Sequence, residues 1–212
     1  MKDIEYVLPG DIEKRSFEII EEELKARGIS LDPVEDPITR RVIHTTADFE
    51  YVNSLTFSEG AVEKARELLS RGATIVTDTN MALSGINKTS LNKLGCRAAC
   101  YMADPEIAAK AKELGVTRAS LSMQRAASLE GPVIFAVGNA PTALIQLYEM
   151  MEKGEFTPDF IIGVPVGFVN VEAAKELFID SRVPYIINRG RKGGSNVAAA
   201  ICNALMYGLY RE

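Results

Sequence analysis

One histidine occurs in the chain, His44, in the run Arg41-Val42-Ile43-His44-Thr45-Thr46. Imidazole is the side chain whose ordinary proton affinity lies nearest neutral pH, so this residue could lend and recover a proton during a reaction. Residue type alone nevertheless favours a structural imidazole. Metal ligation fits poorly, because no second histidine and no cluster of acids or thiolates accompanies it. A second chemistry-bearing segment is Asn188-Arg189-Gly190-Arg191-Lys192-Gly193-Gly194-Ser195, which holds three cations within four residues just ahead of a helical pattern. Helix amino termini attract anions through unpaired N–H groups and the macrodipole, so a phosphate or carboxylate is expected here, with a solvated basic turn as the alternative. Arg118, in Gly115-Val116-Thr117-Arg118, is either another anion ligand or a surface residue. No Walker A loop occurs and no strand leads into G-x-G-x-x-G, which argues against a nucleotide fingerprint. The absence of G-x-S-x-G leaves serine-triad chemistry with little support.

These residues need a scaffold, and apolar runs provide one. Ala73–Thr77, Arg97–Tyr101, Val133–Val137, Phe160–Val164 and Pro184–Ile187 are continuously apolar rather than alternating, as strands covered on both faces require. Val42–Ile43 reads as a further short strand. The spacing between the main runs leaves room for crossover helices, as in successive βαβ units. Asp104-Pro105-Glu106 supplies an N-cap, a proline and a first-turn acid. Ser58, Asn139 and Asn170 are candidate caps for other helices. Ile12, Ser16, Ile19, Ile20, Glu23 and Leu24 form a partly apolar stripe near the amino terminus. The final helix, about 195–207, is apolar nearly all round and must be buried in its own domain or against a second subunit. The expected fold is a three-layer α/β/α sandwich with a mainly parallel, flavodoxin-like sheet, formed by a single domain over residues 1–212.

In such sheets ligands bind beyond the carboxyl ends of the strands. The segments there are Asp78-Thr79-Asn80-Met81, Gly138-Asn139-Ala140-Pro141-Thr142, Pro165-Val166-Gly167-Phe168 and the basic segment above. Their small residues would let backbone amides approach a ligand closely.

At 212 residues, 47% hydrophobic and 25% charged, the chain has the balance of an ordinary soluble globe. A net charge of −5 argues against a dedicated nucleic-acid binder but leaves room for a locally basic pocket. Cys96, Cys100 and Cys202 are odd in number and lack C-x-x-C spacing, which fits a reducing cytoplasm rather than a disulfide framework or zinc site. The first residues contain no apolar run of signal-peptide length. Residues 131–148 and 193–210 each run 18 residues without a charge, yet their Gly, Asn, Pro and Ala content suits buried core better than a membrane span.

The quoted motifs also carry a family resemblance. Arg15-Ser16-Phe17, Arg41-Val42-Ile43-His44, Gly138-Asn139-Ala140-Pro141-Thr142-Ala143-Leu144, Gly163-Val164-Pro165-Val166-Gly167-Phe168-Val169 and Gly190-Arg191-Lys192-Gly193-Gly194-Ser195 run in the order and spacing of the precorrin-8X (cobalt-precorrin-8) methylmutases. The whole chain resembles that family. The resemblance implies an isomerase of corrin synthesis that moves a methyl group from C-11 to C-12 of ring C, giving hydrogenobyrinate or cobyrinate. It implies no cofactor, no external methyl donor and no redox partner. It assigns His44 as proton donor and acceptor, puts Ser16 and Arg41 against the substrate, and implies a homodimer with the pocket at the subunit interface.

A flat apolar macrocycle ringed by carboxylates calls for apolar walls with cations and N–H donors at the rim. Met81, Gly85, Gly138, Ala140 and Phe168 are candidate walls. Arg41, Arg118, Arg189, Arg191 and Lys192, with the helix start at Gly193, Gly194 and Ser195, are candidate carboxylate partners. Thr45 and Asn139 complete the expected substrate-binding set, and no metal site is expected. The alanine-rich final helix would suit close approach of two subunits. A non-catalytic tetrapyrrole carrier and a flavodoxin-like phosphate-ligand enzyme are the rival readings.

Overall fold

The computed structural model describes residues 5–210. Four strands, β2 (Thr74–Thr77), β4 (Val133–Val137), β5 (Phe160–Gly163) and β6 (Tyr185–Asn188), are buried along their whole length, as their unbroken apolar character requires. With β1 (Leu55–Phe57) and β3 (Arg97–Ala99) they form one sheet in the order β1-β6-β5-β4-β2-β3. All pairs are parallel except β1 with β6, where Leu55 lies opposite Asn188. Counted from β2, the parallel strands follow the flavodoxin-like order, and the chain reverses direction across the sheet between β2 and β4.

Alternate side chains of the strands feed two cores. On one face Ile75, Ile134, Ala136, Phe160, Ile162 and Ile186 pack against α2 (Asp36–Thr46), α4 (Ala61–Ser70), α5 (Asn80–Gly85), α6 (Lys88–Lys93) and α11 (Ser195–Tyr207). On the other, Val76, Phe135, Val137, Ile161 and Ile187 meet α8 (Arg118–Ala126), α9 (Pro141–Glu152) and α10 (Val171–Ile179). The three layers match the expected sandwich. A third, small cluster joins α1 (Ile12–Ala26) to α2 through Ile20, Leu24 and Ile43, so α1 rides on α2 rather than on the sheet. The remaining helices are α3 (Tyr51–Ser54) and α7 (Pro105–Leu114).

Several expectations need correction. Val42–Ile43 is not a strand but the middle of α2. Asp36 and Pro37 start that helix, and Ile38 and Val42, one turn apart, both reach the sheet-side core. Their β-branched neighbours mimic a strand when read as an isolated pair. The side chains that cap helices are Thr79, Asn87, Asp104 (as expected) and Thr117; Asn170 stands at the N-cap of α10 without a side-chain bond, and Gly60 and Ala140 take the N-cap positions expected of Ser58 and Asn139. The edge strand β1 was not anticipated at all. For α11, the first of its two expected settings is met within the protomer. Ten of its residues are buried within its own chain, and alanine lets α2 and α5 close on it. Among the described residues no helix is long and apolar enough to cross a membrane.

Candidate active site

Two residues three apart on a helix share a face, and Arg41 and His44 on α2 both turn toward α1. The His44 ring is exposed and stacks on Phe17, with centroids 5.1 Å apart and planes 11° apart. Among the described residues neither ring nitrogen has a hydrogen-bond partner. Beside it lies a cavity of about 300 Å³ lined by Ser16, Ile19, Ile20, Glu23, Ile43, His44, Ala47 and Phe49. The walls are mainly apolar and the imidazole is their one nitrogen base. The Ser16 hydroxyl donates to the Ile12 carbonyl, and the Thr45 hydroxyl to that of Arg41. Arg41 is already engaged: it pairs with Glu13 and lies over the rings of Phe17 (4.7 Å) and Tyr207 (5.3 Å).

A second group forms at the carboxyl edge of the sheet, where β2 and β4 diverge. Asp78, fully buried just after β2, accepts the amides of Gly138 (2.8 Å), Asn139 (2.8 Å) and Ala140 (2.6 Å). Burial pushes its carboxyl up from the usual aspartate range while the three amides pull against that shift. The expected amide contacts of this loop with a ligand are thus already taken by a carboxylate of the same chain. Asp78 was legible as a polar residue ending an apolar run, yet its role needs a partner 60 residues away. Thr79 caps α5 by accepting the Ala82 amide, and its hydroxyl lies 2.7 Å from that of Ser195. Gly138 is packed so closely that a Cβ would sit 2.8 Å from the Gly194 carbonyl oxygen, and one on Gly193 (φ +155°) would run into the Val164 carbonyl. Gly85 abuts Ala199, and Met81 on the same helix is 72% exposed.

The cations of the basic segment project to solvent but are ion-paired. Lys192 contacts Asp48 (2.5 Å) and Glu50 (2.7 Å), which raise its pKa, while Arg191 contacts Glu172 (2.9 Å) and Arg189 contacts Glu176 (3.8 Å). The Arg191 guanidinium also lies 5.5 Å from the ring of Phe168, which is 82% exposed. Around this segment lies an open cavity of about 660 Å³, lined by Glu50, Asn53, Ser54, Glu172, Arg189, Gly190, Arg191 and Lys192. Arg118 stands apart at the start of α8, donating to the Met102 carbonyl at 3.4 Å.

The predicted residues therefore fall into separate groups. His44 and Ser16 share the α1–α2 cavity, and Arg41 lies beside it. None of the loops after the strands lines that cavity. The Lys192–Asp48 pair, four residues beyond His44, links the two regions. Among the described residues no group of three or more His, Cys, Asp or Glu is placed to hold a metal ion.

A family model described as CbiC, precorrin-8X methylmutase, matches residues 11–208. The cobalt-precorrin-8 methylmutase of Salmonella typhimurium is 43% identical over 205 residues, covering 95% of this chain and 96% of its own. The precorrin-8X methylmutase of Pseudomonas aeruginosa is 40% identical over 206 residues, covering 95% and 97%. The crystal structure of precorrin-8X methyl mutase from Thermus thermophilus superposes with a TM-score of 0.83 at 39% identity, over 92% of this chain and 96% of that one.

Proposed function

The chain belongs to the precorrin-8X methylmutase family, isomerases of cobalamin biosynthesis, and from that premise we propose that it moves a methyl group from C-11 to C-12 of ring C of precorrin-8X or its cobalt form. One observation carries the reading: the chain's single imidazole lies exposed at the mouth of an apolar cavity, fixed by stacking on Phe17.

The migrating methyl leaves one ring carbon and bonds its neighbour within the same molecule, so the atom balance closes without a donor or an electron carrier. The protein's task is then to bias the electronics of one ring system. In this proposal His44 lends a proton to the ring C nitrogen, or holds a hydrogen bond to it, as the conjugation rearranges, and recovers the proton afterwards. Such general acid–base help is typically worth about 10²- to 10⁴-fold in rate. The rest comes from holding the rearranged electronic state more tightly than the starting one.

The acidic arms would be gripped by Arg189, Arg191, Lys192 and Arg118, with Ser16, Arg41, Thr45, Met81, Gly85, Asn139, Ala140 and the Gly193–Ser195 turn around the ring. Because Arg189, Arg191 and Lys192 are paired now, substrate carboxylates would exchange with Glu176, Glu172, Asp48 and Glu50. Pockets for small ligands span about 300–1,000 Å³, and the 300 Å³ beside His44 is the bottom of that range. A homodimer, with a second copy closing the pocket over His44, accommodates a tetrapyrrole better than one protomer does. The reading further takes residues 1–212 as one domain working in the cytoplasm, where the three free cysteines stay reduced.

Incubation with precorrin-8, metal-free and cobalt-loaded, followed by optical spectra tests the proposal. Conversion to the orange corrin chromophore is expected, and the relative rates rank the two substrates. Stable binding of both forms with no spectral change would overturn it in favour of a carrier.

A further inference from the structure

Lys175 on α10 is the only lysine or arginine fully buried among the described residues. Its ammonium donates to the carbonyl oxygens of Gly190 (2.7 Å) and Lys192 (2.8 Å). No carboxylate of the described residues lies within ion-pair distance of it; Glu172, one turn away on the same helix, pairs with Arg191 instead. Asn188, also buried, donates a second bond to the Lys192 carbonyl (2.8 Å) and one to that of Arg189 (3.1 Å), while its own oxygen takes the Ser54 hydroxyl. The Gly167 amide donates to the Arg191 carbonyl. All four carbonyls from Arg189 to Lys192 are therefore held by donors belonging to the body of the fold. By contrast, the amides of Gly190, Arg191, Lys192 and Gly193 have no acceptor among the described residues.

We infer that Lys175 is a positioning residue for substrate: by drawing the Gly190 and Lys192 carbonyls inward, its buried ammonium turns the amides and cationic side chains of residues 189–193 outward, toward a carboxylate arm. The inference rests on the proposed function only in taking that carboxylate to belong to a corrinoid. A buried ammonium without a counter-ion is unfavourable for the fold, and burial draws its pKa down to about 8. Methionine, an uncharged unbranched side chain of similar length, would relieve that burden while losing both hydrogen bonds. Stability and site geometry are thereby separable in one substitution.

The test is Lys175→Met alongside Lys175→Gln, with KM and kcat for the methyl shift and amide hydrogen exchange at Gly167 and Gly194, whose bonds join the loop to the segment leaving β5. In the methionine variant KM is expected to rise about tenfold with kcat within about twofold, the loss of a charged hydrogen bond being worth roughly that factor, and both amides exchange faster. The glutamine variant, which keeps a neutral donor, falls between, so its ordering decides the matter should the methionine protein fold poorly. A merely structural lysine would lower Tm and the active fraction while leaving KM alone, and unchanged KM with unchanged exchange overturns the inference. Absence of any corrinoid turnover in the wild type overturns the proposed function instead. The exchange readout then still decides whether Lys175 shapes the loop.

Discussion

At the scale of single residues, the chemistry reduces to which polar groups are free and which are taken. His44 has its ring nitrogens unpartnered among the described residues and its face on Phe17, so removing the imidazole should abolish proton transfer while the other lining residues stay in place. His44→Ala is expected to bind corrinoid with near-wild-type affinity while kcat falls about 10²-fold or more, checked by titration against single-turnover spectra. Asp78 is the opposite case, with both carboxylate oxygens committed to backbone amides. An Asp78→Asn side chain would turn an NH₂ group toward at least one amide donor. The expected cost is about 3 kcal/mol, or roughly 6–12 °C in Tm by calorimetry. The histidine could be singled out from the sequence because it is unique. Asp78 could not, since an aspartate ending a strand looks the same whether it faces solvent or three distant amides.

At the scale of elements, the strands were readable because burial on both faces leaves a continuous apolar signature, and α11 because its alanines and lack of charge call for burial, within its own domain or against a second subunit. β1 escaped notice because three residues, Leu-Thr-Phe, carry too little periodicity, and its strand character comes from pairing with β6 far along the chain. The misreading at Val42–Ile43 has the same origin, local β-branching outweighed by tertiary packing. Lys175 was invisible for a related reason: Val-Glu-Ala-Ala-Lys-Glu-Leu is an ordinary amphipathic run until the 189–193 segment covers it. Its burial has a measurable pH signature. Between about 8, its value in the fold, and 10.5, its ordinary value, the unfolded chain holds a proton that the native protein has shed. Stability therefore rises with pH across that window, and the full burden of the ammonium is present below it. Denaturant unfolding of wild type and Lys175→Met at pH 7.5 and 10 should show the variant's relative advantage shrinking with pH, by up to about 3 kcal/mol.

At the scale of the whole molecule, the sheet's carboxyl edge and the α1–α2 cavity are separate features of one protomer, and a ligand wide enough to use both needs a further wall. If a second copy provides it, specific activity should fall on dilution through the dimer dissociation range, in step with the sedimentation coefficient, whereas a self-sufficient protomer would keep constant specific activity. Which loops face each other across such a pair could not be read from the sequence, because that depends on shape rather than on motif. The attachment of α1 has its own consequence. Among the described residues the buried seam between that helix and α2 is Ile20, Leu24 and Ile43, whereas α11 buries ten of its thirteen residues. Heating should peel the first helix away while the layers beneath remain native, since sparsely fastened segments open at lower free energy than a central core. Catalysis would then fail several degrees before the calorimetric transition, and a covalent tether between the two helices would bring the temperatures together.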